Sequence, residues 1–444
     1  MKIIIVGAQY IGSISGGGGV HVVELTRELG KLGHEVLVLS MGLGDNKKEE
    51  EIVLEDPYNP DKKRRKALIK VVRFWTSDSA GIRSPFEGTK QQEIDRLLEF
   101  KEKVLEYLVQ MNGKDVVHLH GHFVIPAMAK ELKERTNYRI VNSIHTFESI
   151  SEMKKGADGA GEKFIKIMQD MEEQAVIHSD CLICRSREVK EQISRLFPDA
   201  VKKTRIAVIS SGVSSVFIHH PGSSPQELDQ VKKKYNITGE LILNINRIDP
   251  SKGIENLISA YPRVYDHLRK HEAEDHKLSL VIAGMIEEKN KWYYEKLVRL
   301  IEGIKDPQIR QSISIHQNIS EKDKLNLFDL ARIFVLSSLL EPFGITIVEA
   351  LAKDIPVVSS GVEGPKDIME LSRIKTPFSE ALGGILVNYD DPGRRADNFF
   401  EALKYTFDNY SKVKKSVGKG KKKTLKKYAW ESLVKEKLRI YKSV

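Results

Sequence analysis

Short apolar runs alternate with amphipathic stretches along most of the chain, the pattern of a parallel sheet whose strands are joined by crossover helices. In the first half, Lys2–Gly7, Glu35–Ser40, Ile69–Trp75, Asp115–His120, Arg139–His145, Cys181–Arg185 and Ile206–Ser210 read as strands. Helical periodicity fills most of the intervals, as in Val20–Leu32, Gln91–Met111, Glu162–His178 and Glu188–Leu196. The stretch SSGVSSVFIHHPGSSPQE then loses all period and has the composition of a linker. Alternation restarts with strands at Leu241–Asn246, Leu278–Gly284, Ser312–His316, Ile333–Ser338, Pro356–Ser360 and Gly384–Asn388. This predicts an α/β chain of two doubly wound, Rossmann-like domains, 1–212 and 213–423, joined near 212–225 and facing a central cleft. A last helix, 424–444, is expected to return to the first domain through Trp430, Leu433 and Leu438. The charge-dense segment 44–66 reads as an inserted surface loop.

Composition narrows the class. At 444 residues and 41% hydrophobic, the chain exceeds one ordinary core. Its 71 basic and 62 acidic residues give +9, but the two signs are thoroughly mixed, so no nucleic-acid partner is expected. No run approaches the ~18 apolar residues of a membrane span. The start, MKIIIVGAQY, reads as a strand rather than a signal peptide. Two cysteines exclude a disulfide scaffold and fit a reducing, cytoplasmic setting.

Open α/β sheets bind ligands at the carboxyl ends of their strands, so the residues there are the candidates. Gly16–Gly19 abut the start of the Val20 helix, where backbone amides suit an anion, with Gly17 and Gly18 as donor contacts. The bland alternative is a flexible connection. His118, His120 and His122 share one strand face but are spaced too widely for one ion on a straight strand, so satisfied polar histidines in the cleft are expected and no metal. His145 is the single candidate for a substrate contact from this half. Cys181 and Cys184 spell CxxC, yet lie inside a strand without further ligands, and read as buried thiols.

The second half is richer. NRIDPSKG places Arg247 at a strand end and Lys252 near the next helix, a pair of cations suited to a diphosphate. Gly284 ends LVIAGM, where a missing side chain would admit a ligand. The sharpest signal is LSSLLEPFGITIVEALA. Glu341 and Glu349 stand eight residues apart, read as about two helical turns that turn both carboxylates to one side. The amides of Gly344, Ile345 and Thr346, at a helix start, face an anion. Carboxylates flanking an anion-binding turn favour binding a sugar phosphate over hydrolysing a glycoside.

These residues resemble the family-4 retaining glycosyltransferases of the GT-B fold over essentially the whole chain. The E-x7-E pattern of Glu341 and Glu349 carries the likeness, supported by DVVHLH, SIHTFES, VISSGVSSVF, NRIDPSKG and YAWESL. The resemblance implies that Glu341 meets the donor sugar's hydroxyls and Glu349 the ribose hydroxyls. It implies that Arg247 and Lys252 hold the diphosphate, and that His145 lies beside the transferred sugar. It also implies that the backbone from Phe343 to Thr346 touches sugar and phosphates. Transfer would be metal-independent and use a nucleotide-diphosphate sugar. EPFGITIVEA followed by VEGPKDI is most similar to the sucrose-phosphate synthase branch, which implies UDP-glucose. The family's Asn-Gly-Val-Asp hinge is Ser211-Gly212-Val213-Ser214 here, which leaves the hinge's hydrogen bonds open. Acceptor sensing is expected from segment 44–66 and the loop 149–163. The alternatives are a lipid- or glycan-directed mannosyl- or glucosyltransferase, or a non-catalytic nucleotide-sugar binder. The lysine run 412–427 is the feature that admits weak peripheral contact with a membrane; Gly418 and Gly420 are expected to break any helix there.

Overall fold

The computed structural model describes residues 1–13, 17–82, 84–121, 123–144, 149–150, 161–271 and 276–444. The chain divides into two compact units, one formed by Met1–Val216 with Trp430–Val444 and the other by Phe217–Ala429.

In the first unit, β1 (Lys2–Val6) is an unbroken apolar run after Lys2, as a strand covered on both faces requires. It is followed by α1 (Gly17–Lys31), β2 (Glu35–Met41), β3 (Glu49–Glu55), β4 (Lys66–Phe74) and α2 (Lys90–Met111). Then come β5 (Val116–Gly121), β6 (Arg139–Ile144), α3 (Glu162–Ile177), β7 (Cys181–Cys184), α4 (Arg187–Leu196) and β8 (Arg205–Val208). The sheet order is β3-β4-β2-β1-β5-β6-β7-β8. Only β3 and β4 pair antiparallel.

Strand β3 corrects the reading of 44–66 as a loop. Glu49, Glu51 and Glu55 lie on one face of an edge strand, where Glu51 stands opposite Lys70 and Glu55 opposite Lys66, while Leu54 turns inward and is buried and Glu50, on Leu54's face, pairs with Arg73. The turn after it is anchored too. Asp56 is fully buried and accepts from Lys31 Nζ at 3.0 Å, and Lys31 also donates to Glu28 at 2.8 Å. Ser211 of the hinge and Ser215, just beyond it, join this polar core. Ser215 Oγ lies 3.2 Å from both Lys31 Nζ and Glu28 Oε1, and Ser211 Oγ lies 2.7 Å from His21 Nδ1.

The second unit contains β9 (Glu240–Ile245), α5 (Ile254–His271), β10 (Leu278–Gly284), β11 (Ile313–Gln317), α6 (Glu321–Leu330) and β12 (Ala331–Leu336). After these follow α7 (Ile345–Ala352), β13 (Val357–Ser360), α8 (Glu363–Ile368), β14 (Phe378–Ala381), β15 (Gly384–Val387), α9 (Arg395–Asp408) and α10 (Tyr410–Tyr428). Its sheet runs β11-β10-β9-β12-β13-β15-β14, parallel except for the β14–β15 edge. Helix α5 buries Leu257, Ile258, Tyr261, Val264, Tyr265 and Leu268, a stripe at helical spacing over the sheet.

Two boundaries move relative to the sequence reading. The chain leaves the first unit after Val216 rather than 212, because Phe217 packs edge-on against Phe328 at 5.4 Å while Ser215 is held by Glu28 and Lys31. It returns at Trp430 rather than 424. Tyr428 packs against Phe343 at 5.4 Å, Ala429 is extended, and α11 (Trp430–Ser443) then joins the first unit's core through Trp430 and Leu433. Nor do the glycines break α10. Val413, Val417, Gly420, Thr424 and Tyr428 form its buried face, and Gly420 is where the helix closes on Gly383: a Cβ there would lie 3.1 Å from the Gly383 Cα.

Candidate active site

In the second unit the sheet order reverses between β9 and β12. The chain runs outward from β9 through β10 to β11, then returns to place β12 on β9's other side. The carboxyl ends of two parallel neighbours therefore diverge there, the position at which open α/β sheets bind ligands. Arg247 and Lys252 follow β9, and Glu341–Thr346 follow β12.

After β9 the backbone forms a short turn, Pro250–Lys252, capped by Asp249, whose carboxylate accepts from the Ser251 amide at 2.9 Å. Burial alone would raise the Asp249 carboxyl, but Arg247, Lys252 and the Ser251 hydrogen bonds hold it below the usual carboxylate range. Gly253 ends the turn at φ +53°, and a Cβ there would meet the Ser337 carbonyl at 2.6 Å. Ser337 Oγ donates to the Lys252 carbonyl at 2.9 Å, and the Leu339 amide donates to the Ser251 carbonyl at 2.7 Å. The lysine turn is thus stitched to the end of β12. Arg247 extends from the same turn with its side chain 42% exposed, its guanidinium 3.5 Å from Asp249 and 3.9 Å from Glu287.

Gly284 serves a different purpose from the one its strand-end position suggested. A Cβ there would lie 1.5 Å from the Asn246 carbonyl oxygen, so its missing side chain makes room for the backbone that carries Arg247. Space for a ligand is not what requires a glycine there.

Glu341 and Glu349 likewise correct the two-turn reading. Only α7 is helical, so Glu341 lies in the turn ahead of it and Glu349 lies inside it. Each has its own lysine. Lys252 Nζ donates to Glu341 Oε2 at 2.9 Å, with both side chains largely buried. Lys324 Nζ, on α6, donates to Glu349 Oε1 at 2.7 Å, and Glu349 is 3% exposed. The Lys324 ammonium also lies 5.0 Å above the Phe217 ring. Lys324 escaped the sequence reading because nothing in a charged helical segment signals a partner 25 residues onward.

Gly344 caps α7 at φ +101°, a backbone conformation that favours glycine, and the half-buried Ile345 and Thr346 open the helix. Phe343 is buried. The Gly364 amide donates to the Glu341 carbonyl at 2.8 Å, and a Cβ on Gly364 would meet Phe343 Cα at 2.3 Å. That close approach brings the start of α8 onto the Glu341–Gly344 turn.

In the first unit, Gly17 and Gly18 open α1. His118 is fully buried, with Nδ1 2.5 Å from Tyr441 OH and Nε2 2.8 Å from Ser143 Oγ, and its ring centroid lies 3.9 Å from that of His120. Among the described residues no group of three or more His, Cys, Asp or Glu side chains is arranged to hold a metal ion. Cys181 and Cys184 are buried free thiols, and burial pushes the Cys184 thiol up to about 12. His122, His145 and most of the loop 149–163 lie outside the described residues.

Comparison with known proteins decides the family. A family described as Glycosyltransferase Family 4 matches residues 15–216, and one described as Glycosyl transferases group 1 matches 226–375. The chain belongs to the family-4 glycosyltransferases and has the GT-B fold. Among curated relatives, a probable sucrose-phosphate synthase of Thermosipho melanesiensis is 25% identical over 96% of this chain and 90% of its own. Among solved structures, sucrose-phosphate synthase from Thermosynechococcus elongatus superposes with a TM-score of 0.70 at 16% identity, covering 100% of this chain and 98% of that one. An Anabaena protein, HepE, in complex with UDP-glucose gives 0.67 at 14% identity, over 100% of both chains. The glycosyltransferase thus carries its E-x7-E carboxylates on two distinct supports, each with a lysine. No helix among the described residues is long and apolar enough to cross a membrane.

Proposed function

We propose that the second unit binds a nucleotide-diphosphate hexose, with UDP-glucose the leading donor, and that the enzyme transfers the hexose with retention to a hydroxyl of a sugar or sugar phosphate. The observation that carries this reading is the assembly at the β9/β12 reversal: exposed Arg247, Lys252 paired to Glu341, and the start of α7. In this reading Arg247, Lys252 and the α7 amides meet the diphosphate, Glu341 takes the sugar hydroxyls, and Glu349 takes the ribose hydroxyls. Support for the donor comes from the HepE complex with UDP-glucose, and for a phosphorylated acceptor from the two relatives named as sucrose-phosphate synthases.

The chemistry follows from charge. As the bond between the sugar's anomeric carbon and the phosphate oxygen breaks, negative charge grows on the leaving diphosphate. Fixed cations and amides stabilise that charge more than they stabilise the ground state. The acceptor oxygen bonds to the anomeric carbon on the same face. Its proton passes to the departing phosphate oxygen, so no enzyme nucleophile is needed. With positive potential supplied by Arg247, Lys252 and a helix start, the enzyme works without a divalent ion. Excluding water protects the donor from hydrolysis.

A thermal-shift screen of UDP-, ADP- and GDP-sugars tests the reading, because a ligand that binds only the folded state raises the melting temperature. UDP-glucose is expected to give the largest shift. No shift with any nucleotide sugar would overturn the assignment, and a shift without turnover would favour a binding protein.

A further inference from the structure

Helix α10 carries nine lysines and no acidic residue between 412 and 427, and the fold sorts these lysines by face. The inner face is apolar and buried. On its flanks the lysines are engaged: Lys412 pairs with Glu380, Lys421 with Asp354 and Lys423 with Glu370, while Lys414 donates to the Asp354 carbonyl. Lys427 lies over the Tyr428 ring at 4.9 Å. Four remain. Lys415, Lys419, Lys422 and Lys426 recur at spacings of four, three and four, which puts them in one row diametrically opposite the buried face. All four are exposed, and no carboxylate of the described residues pairs with them.

We infer that this row is a docking ridge for an anionic lipid surface. A straight row spanning 12 residues, about 16 Å from first to last, suits an extended plane of charge. Lysine ammoniums are point charges that need no fixed geometry in their partner. The row carries no aromatic side chain on which a base would stack, which separates it from single-stranded nucleic-acid sites. It carries no exposed apolar residue to insert into a bilayer, so contact is Coulombic, reversible and confined to about a Debye length, ~10 Å at 0.1 M salt. The flanking ion pairs hold the helix down with the four lysines on its outward face.

Co-sedimentation of the full chain with phosphatidylglycerol and phosphatidylcholine vesicles tests the inference. At low salt the protein is expected on phosphatidylglycerol vesicles only, and 1 M salt should release it. Substituting the four ridge lysines by glutamine should cut partitioning by about tenfold or more. A charge-matched variant, with exposed Lys47, Lys62, Lys63 and Lys233 changed to glutamine, should keep it. Equal loss in both variants would assign the attraction to the net charge of the whole chain and overturn the ridge. So would binding to neither vesicle, or a ridge that captures a single-stranded oligonucleotide while vesicles stay bare. Melting temperatures of both variants, expected to match the wild type, separate lost docking from lost folding.

Discussion

Lys252 donates from Nζ to Glu341 Oε2 at 2.9 Å, so a cation assigned to the diphosphate and a carboxylate assigned to the sugar neutralise each other before any donor arrives. The consequence is asymmetric. Under the proposed roles, Glu341→Ala removes the sugar contact but releases Lys252 toward phosphate. Turnover is expected to fall by about a hundredfold or more, the scale of losing one preorganised transition-state contact. Affinity for UDP alone should hold or rise. Steady-state kinetics with calorimetric titration of UDP checks both halves. Wild-type turnover in the variant would remove Glu341 from the mechanism.

Lys324→Met isolates the second pair. It removes the lysine that donates to a carboxylate 3% exposed, and breaking such a buried pair costs up to about 3–5 kcal/mol. The double variant Lys324→Met with Glu349→Gln should recover most of that stability, since neither charge remains. Chemical denaturation of the single and double variants measures the difference. Glu349→Ala should raise the donor KM while largely preserving kcat, because ribose contacts are made in ground and transition states alike.

The placement of most candidate residues was legible from type and spacing. Arg247, Lys252, Glu341 and Phe343–Thr346 stand at strand ends, and periodicity identifies strand ends well. What was not legible depended on distance along the chain. The partner of Glu349 sits 25 residues earlier on another helix. The reason for Gly284 is the backbone of a neighbouring strand, not a ligand. Strand β3 was hidden because charge density suggests a loop, although every second residue of an edge strand is free to be charged. In α10, helix propensity alone disfavours glycine, and close packing on Gly383 overrides it.

The two α10 glycines should therefore respond in opposite directions. A Cβ on Gly418 meets nothing within 4 Å, so Gly418→Ala should stabilise the protein by about 0.5–1 kcal/mol. Gly420→Leu must displace Gly383 and Leu351 and should cost about 1–3 kcal/mol. Urea titration resolves the signs.

Lys437 is fully buried on α11, and its ammonium has no hydrogen-bond acceptor among the described residues. Burial, with Arg185 nearby, lowers it to about 7. The unfolded chain holds the proton up to about pH 10.4. Between about pH 7 and 10 the unfolded state therefore binds more protons, and stability must rise with pH there. Lys437→Met should be more stable than wild type at pH 7 and should flatten that rise. Melting temperatures measured from pH 6 to 10 test it; parallel curves for the two proteins would contradict it.

The most direct test follows the anomeric proton by NMR while wild-type enzyme, UDP-glucose, EDTA and a panel of hexose phosphates react together. The account predicts UDP release coupled to a new glucoside with the donor's α configuration, undiminished by the chelator. A β-linked product, transfer that requires added Mg²⁺ or Mn²⁺, or bound donor that never turns over would contradict it.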